Sequence, residues 1–172
     1  MEIQSFAPIS NAKATVLILG TMPGIASLSS GEYYGHKNNL FWDIIFRVCN
    51  PDWKNEELVT ANFEEKKALL LDKKIALWDV LQFCERKGSL DKDIKNQVFN
   101  DFHTFFIEHP NIKAIFFNGK DAAKYFEEYK AEPSISNGKE FITLSSTSPS
   151  NSTNSFLILK EWLQIRKFIL TN

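Results

Sequence analysis

The chain has 172 residues, with 20 Lys and Arg against 21 Asp and Glu and a formal net charge of −1. At 44% hydrophobic and 24% charged residues it has an ordinary globular composition, long enough for one domain with a single core, taken as residues 1–172. This balance excludes a strongly basic surface, so bulk charge offers no argument for a nucleic-acid partner, although a local basic lip would suffice for one.

The two cysteines, Cys49 and Cys84, lie far apart and have no metal-ligand or iron–sulfur spacing. Such isolated thiols point to a reducing compartment. The opening MEIQSFAPIS lacks a basic segment followed by an apolar one, and no apolar run is long enough to span a bilayer. A cytoplasmic monomer with no membrane and no metal is expected.

In chain order, ATVLILG (14–20) is a continuous apolar run and reads as a buried strand. The turn GTMPG and the polar stretch GEYYGHKNNLFW follow it. NLFWDIIFRVC then places Phe41, Ile44, Ile45 and Val48 on one helical face, and NFEEKKALLLD predicts a second helix. KIALWDV (74–80) is the second strand. NQVFNDFHTFFIEH (96–109) predicts a helix through Val98, Phe102, Phe105 and Phe106. The third strand is IKAIFFN (112–118). Asn118-Gly119 often marks a hairpin, but GKDAAKYFEEYK after it has helical spacing, so strand, turn and helix are expected. KEFITLS (139–145) is the fourth strand, LSSTSPSNSTNS reads as a functional loop, and SFLILKEWLQIRKFIL closes the chain as a helix. This alternation predicts an open α/β sheet, mostly parallel, with helices on both faces.

Ligands bind at the carboxyl ends of the strands in such sheets. All four ends carry polar or turn residues: Gly20 to Gly24, Asp79, Asn118 and the serine-rich loop. Each has a structural reading of its own. The glycines and Pro23 shape a tight turn, Asp79 caps a segment or pairs with a lysine, and Asn118 forms a turn. Ser145 to Ser152 is an N-cap cluster for the last helix, a role open also to Thr153 or Ser155, and Asn38 or Asn39 caps the helix near Leu40. Tyr33 and Tyr34 edge the core, and His36 is a structural hydrogen bonder. Their joint location favours a site.

The blocks LILGTMPG, SLSSGEYYGHKNNLFW, IALWDVLQFCERKGSLD, IFFNGKDAAKYF and LSSTSPSNS, in this order, resemble the uracil-DNA glycosylase superfamily. More narrowly they resemble its hypoxanthine (deoxyinosine) DNA glycosylase branch. The resemblance covers most of the chain and implies a three-layer α/β/α sandwich with a central four-stranded parallel sheet. It also implies a cleft that receives a flipped nucleotide, because the glycosidic bond of a stacked base is out of reach.

By this resemblance, Gly20 to Gly24 lines the sugar, with Met22 where other branches hold an Asp or Asn. Asn39 takes over the holding of water, and Tyr34 is the surface on which the base stacks. Asp79 reads the base edge, accepting a hydrogen bond from N1–H of hypoxanthine or N3–H of uracil. Asn118 donates to the departing base. Ser146, Thr147, Ser148, Pro149, Ser150 and Asn151 form the loop that presses on DNA, with Ser150 where relatives place an apolar wedge. Loop amides, Lys37 and Arg86 bind phosphates, and Lys37 stands where a proline is usual.

The expected function is monofunctional hydrolysis of the N-glycosidic bond of a deaminated base in DNA: hypoxanthine first, with uracil or xanthine also open. Water is the nucleophile and no cofactor is implied. A catalytically inactive nucleic-acid-binding member and an enzyme of free nucleosides remain alternatives.

Overall fold

The computed structural model describes residues 2–52, 61–129 and 137–169. The expected ends of two helices, Lys130 and Leu170, lie outside the described residues. Four strands make one parallel sheet: β2 (Val16–Gly20), β3 (Ile75–Asp79), β6 (Ala114–Asn118) and β7 (Glu140–Leu144), in the spatial order β3-β2-β6-β7. The predicted sheet is present with its strands trimmed by one or two residues at their ends.

Both faces of this sheet are covered, which explains its unbroken apolar runs. Side chains alternate along a strand, so Val16 and Ile18 of β2 enter one core while Leu17 and Leu19 enter the other. The first core is closed by α2 (Phe41–Cys49), α3 (Phe63–Asp72) and α6 (Ser155–Trp162), which contribute Phe41, Ile45, Leu70, Ile158 and Trp162. The second is closed by α4 (Phe102–Glu108) and α5 (Lys120–Tyr129), which contribute Phe102, Phe105, Ala122 and Phe126. The result is the three-layer arrangement expected.

Local chemistry fixes the helix starts. Asn62 and Glu65 form a reciprocal capping box on α3, at 3.0 and 2.8 Å. Asp101 accepts from the Thr104 N–H at 3.0 Å to start α4. The cap of α6 is Asn154, which accepts from the Phe156 N–H at 2.9 Å, and not Thr153 or Ser155. Gly119 has φ +98°, which lets β6 turn directly into α5, so the Asn-Gly pair ends a strand and starts a helix.

Two expectations need correction. The helix expected over 96–109 is split: β5 (Lys95–Phe99) is a strand, and only Phe102–Glu108 is helical. Val98 is therefore a strand residue, 49% exposed, not part of a helical stripe. A second, antiparallel sheet also exists, in the order β1-β4-β5, from β1 (Glu2–Gln4) and β4 (Leu81–Glu85) together with β5. Its Ile3 and Cys84 pair directly and pack into the second core. Both cysteines are free and buried.

The parallel register matters most for function. Gly20 pairs with Asp79, and Asn118 with Leu144, so the carboxyl ends of all four strands open on the same edge. Among the described residues, no helix is long and apolar enough to cross a membrane.

Candidate active site

A cleft of about 710 Å³ opens at that edge. Its walls include Gly20, Met22, Tyr34, Asn39, Asp79 and Asn118, together with the loop from Ser146 to Asn151. Of the residues singled out from sequence, only Lys37 and Arg86 are not part of its lining.

Gly20 sits at the centre. A Cβ there would lie 2.6 Å from Asp79 Oδ1 and 2.8 Å from the Tyr34 hydroxyl, closer than real Cβ contacts allow. The missing side chain is thus what lets the carboxylate and the phenol meet at the cleft floor. Asp79 is only 3% exposed. Its Oδ2 and the Tyr34 hydroxyl are buried and have no hydrogen-bond partner among the described residues. Buried polar atoms are nearly always paired, so two unpaired ones beside a cleft mark a ligand-facing position.

Burial first and the nearby Asp91 second push the Asp79 carboxyl up to about 8, against the opposing charge of Arg86. At neutral pH Asp79 is therefore largely a neutral acid that both donates and accepts. This adds a donor to the accepting role expected of Asp79. Burial, and then the charge of Asp79, also hold the Tyr34 phenol well above its ordinary range, so it keeps its proton. Asn118 lies near enough to oppose that shift, without the geometry of a hydrogen bond to the hydroxyl.

Tyr34 has φ +55°, an uncommon backbone conformation for a tyrosine. Its half-buried ring stacks on Phe41, with centroids 3.9 Å apart and planes at 20°. Phe41 is fully buried at the start of α2, so the tyrosine has a rigid backing. The Asn39 side chain accepts from the Phe41 N–H at 3.0 Å, which fixes the amide at the head of the same helix. The N-cap of α2 is Leu40, without a side-chain bond, so neither Asn38 nor Asn39 is the cap expected; Asn39 stands just before it, braces the first turn with this bond and still lines the cleft.

The β6–β7 side is built differently. Asn118 Nδ2 donates to Thr147 Oγ1, and the Thr147 N–H donates to Asn118 Oδ1, both at 2.9 Å. The Thr147 carbonyl accepts from the Leu40 N–H at 3.1 Å. Thr147 is fully buried. Asn151 Nδ2 donates to the Ser146 carbonyl at 2.7 Å, and Ser148 and Ser150 share a hydroxyl–hydroxyl bond of 2.9 Å.

This pairing corrects the expectation for the loop amides. The N–H groups of Thr147, Ser148, Ser150 and Asn151 all donate within the protein. What the loop offers outward is hydroxyls and the exposed ring of Pro149.

Arg86 is corrected too. Its side chain is fully buried and pairs with Asp91 at 3.4 Å. It donates to the Gly88 carbonyl at 3.1 Å and to the Pro23 carbonyl. A guanidinium held this way braces the turn after β2 against the loop after β4 and is out of reach of a phosphate. Lys37 is exposed beside the cleft.

Among the lining residues that sequence reasoning missed are Ile25, Leu90 and Lys92. Ile25 opens a helix of only six residues, Ile25–Ser30, and Leu90 is an isolated apolar residue in a loop, so neither carries a periodic signal; Lys92 lies among charged neighbours that resemble any solvated turn. Among the described residues, no three His, Cys, Asp or Glu converge to hold a metal.

The model of the uracil DNA glycosylase superfamily matches residues 7–165. The chain is 34% identical over 125 residues to a hypoxanthine DNA glycosylase of Methanosarcina barkeri, covering 73% of this chain and 76% of the relative. A protein of the same name from Methanosarcina acetivorans is 31% identical over 122 residues, 71% of this chain and 74% of its own. The solution NMR structure of a proposed uracil DNA glycosylase from Methanosarcina acetivorans superposes with a TM-score of 0.82 at 28% identity, covering 99% of this chain and all of that one. On the strength of this match, the chain belongs to the uracil DNA glycosylase superfamily.

Proposed function

We propose that this DNA glycosylase hydrolyses the N-glycosidic bond of hypoxanthine in DNA, and by the same chemistry that of uracil and xanthine. The observation that carries the reading is the pair of buried, unpartnered polar atoms, Asp79 Oδ2 and the Tyr34 hydroxyl, at the floor of a cleft on the strand-end edge. The names of the two Methanosarcina relatives support hypoxanthine as the first substrate.

Hypoxanthine presents an N1–H donor beside the O6 acceptor. A neutral carboxyl group answers both, accepting from N1–H and donating to O6. Uracil and xanthine carry the same N–H and C=O pair, so Asp79 alone does not separate them. The Tyr34 ring, backed by Phe41, forms the stacking surface, and such stacking contributes about 1–3 kcal/mol per base. A mispaired deaminated base costs least to extrude.

Hydrolysis breaks the bond from the sugar carbon to the base and forms a bond from that carbon to water oxygen. Asn39 orients the water: its Oδ1 is fixed by the Phe41 N–H and keeps a second lone pair, and its Nδ2 is a donor. A neutral amide is a weak base, so its role is positioning toward an already cationic sugar. The departing base carries negative charge, which the Tyr34 O–H and the second Nδ2 hydrogen of Asn118 stabilise. The attacking group is water, not lysine: Lys37 lies outside the cleft lining, and Lys92, which lines it, is an exposed side chain at the rim. Lys37, Lys92 and the hydroxyls of Ser148 and Ser150 meet phosphates at the rim. The enzyme works as a cytoplasmic monomer and needs no cofactor.

The test is a base-release assay on oligonucleotides carrying hypoxanthine, uracil or xanthine. Hypoxanthine release fastest of the three is expected. Tight binding without release of any base would overturn the reading, as would turnover of free deoxyinosine alone.

A further inference from the structure

Removing a nucleotide from a duplex leaves a gap in the base stack, and proteins that hold such gaps insert an apolar side chain into them. The serine-rich loop is poorly equipped for this. Ser148 and Ser150 face outward bonded to each other, the small ring of Pro149 between them is the loop's one exposed apolar group, and Asn118, Thr147 and Asn151 hold the loop together.

Elsewhere on the rim the cleft carries two large apolar side chains in the open. Ile25 is 52% exposed and Leu90 is 46% exposed, and both line the cleft. Ile25 is the first residue of the short helix α1 (Ile25–Ser30) and Leu90 stands on the loop after β4, and the two segments are fastened together. The Ile25 N–H donates to Ser89 Oγ at 2.9 Å, and the α-carbon of Gly24 approaches so closely that a Cβ there would touch the Ser89 side chain at 3.4 Å. Behind them the buried Arg86 ties the Pro23 carbonyl, the Gly88 carbonyl and Asp91 into one brace. Two exposed apolar side chains on a rigid support, beside the cleft that takes the base, are an arrangement that folding does not require.

We infer that Ile25 and Leu90 form a two-residue wedge that enters the duplex beside the extruded nucleotide and keeps it from returning to the stack. The wedge rests on the reading of the cleft as the base site. It acts on a duplex only, since a single strand has no stack to reclose. Ile25 and Leu90 are positioning residues and take no part in bond breaking.

The test compares Ile25→Ser, Leu90→Ser and the double variant with wild type on a hypoxanthine-containing oligonucleotide, as a duplex and as a single strand. Single-turnover base release is measured, with Ile107→Ser, an exposed apolar residue on α4, as control. The double variant is expected to lose about 10–100-fold on the duplex and under about threefold on the single strand, in line with the few kcal/mol of an unstacked step. Equal losses on both forms, or a duplex-to-single-strand ratio within about twofold of wild type, would overturn the wedge. A fluorescent 2-aminopurine placed beside the lesion separates this from the substrate reading. If wild type releases no hypoxanthine, the substrate reading fails by itself. Brightening of the probe on binding the duplex, lost in the double variant, still supports the wedge. Brightening that the double variant retains, or that wild type never shows, overturns it.

Discussion

The two halves of the strand-end edge solve opposite problems with similar residues. On the β6–β7 half, Asn118 and Thr147 satisfy each other through two bonds, and Asn151 closes the loop onto Ser146. On the β2–β3 half, Asp79 Oδ2 and the Tyr34 hydroxyl are just as buried but have no hydrogen-bond partner among the described residues. A satisfied polar network rigidifies, and an unsatisfied one is costly unless something binds it. The first half holds the site in shape, and the second is built to receive a ligand. The cost on the β2–β3 half is borne by the two large cores beneath it.

The comparison breaks most visibly at Gly20. Gly20→Ala puts a methyl group where Asp79 and the Tyr34 hydroxyl converge. We expect at least ~100-fold loss of base release with only ~1–3 kcal/mol lost in stability, read by kinetics and denaturant unfolding. Near-normal release would show that the two groups need not meet.

Asn118→Ala should cost stability as well as activity. It leaves the buried Thr147 N–H and hydroxyl without partners, a loss of about 2–4 kcal/mol by thermal or denaturant unfolding. Base release should fall by ~10–100-fold as the loop loses its anchor. Loss of activity with stability intact would move Asn118 from the holding half to the binding half.

Tyr34→Phe sharpens the contrast in the other direction. It removes an unpartnered buried hydroxyl, so the free protein should gain up to about 1–2 kcal/mol while release falls ~10-fold. A destabilised variant would mean that the hydroxyl is paired in solution.

The last effect is confined to a pH window. Asp79 titrates near 8 in the folded chain, above the ordinary carboxylate value of about 4 in the unfolded one. Its neutral form therefore contributes stability fully below about pH 4, and that contribution is lost progressively as pH rises from there to about 8. The stability advantage of Asp79→Asn over wild type should grow from about pH 4 to about pH 8, by up to about 1.4 kcal/mol per pH unit, and level off above it. Unfolding curves from pH 4 to 9 on both proteins measure this; a flat difference would contradict the raised titration.

Much of this was readable from residue order. Continuous apolar runs placed four strands covered on both faces, and the helices between them made those strands parallel. That pattern put Gly20, Asp79, Asn118 and the serine loop on one edge before any contact was known. The second sheet was hidden because Glu2–Gln4 is three residues long and LQFCE mixes its apolar and polar positions. The phenylalanines of 99–106 masked the break at Asn100, where strand gives way to helix. Arg86 reads as a surface cation until the fold shows it buried on Asp91 and two carbonyls. The protonation of Asp79 and the exposure of Ile25 and Leu90 depend on three-dimensional neighbours that spacing does not report.

The central claim is that Asp79 works as a neutral acid that both donates to and accepts from the base. The direct measurement is base release from hypoxanthine-containing DNA across pH 5.5–9.5 for wild type, Asp79→Asn and Asp79→Ala. An amide keeps one donor and one acceptor, so Asp79→Asn should stay within ~10-fold of wild type, while Asp79→Ala loses ~100-fold or more. Wild-type release should decline above about 8, and Asp79→Asn should show no such decline. Asp79→Asn as inactive as Asp79→Ala, or wild-type release that rises through that pH, would contradict the account.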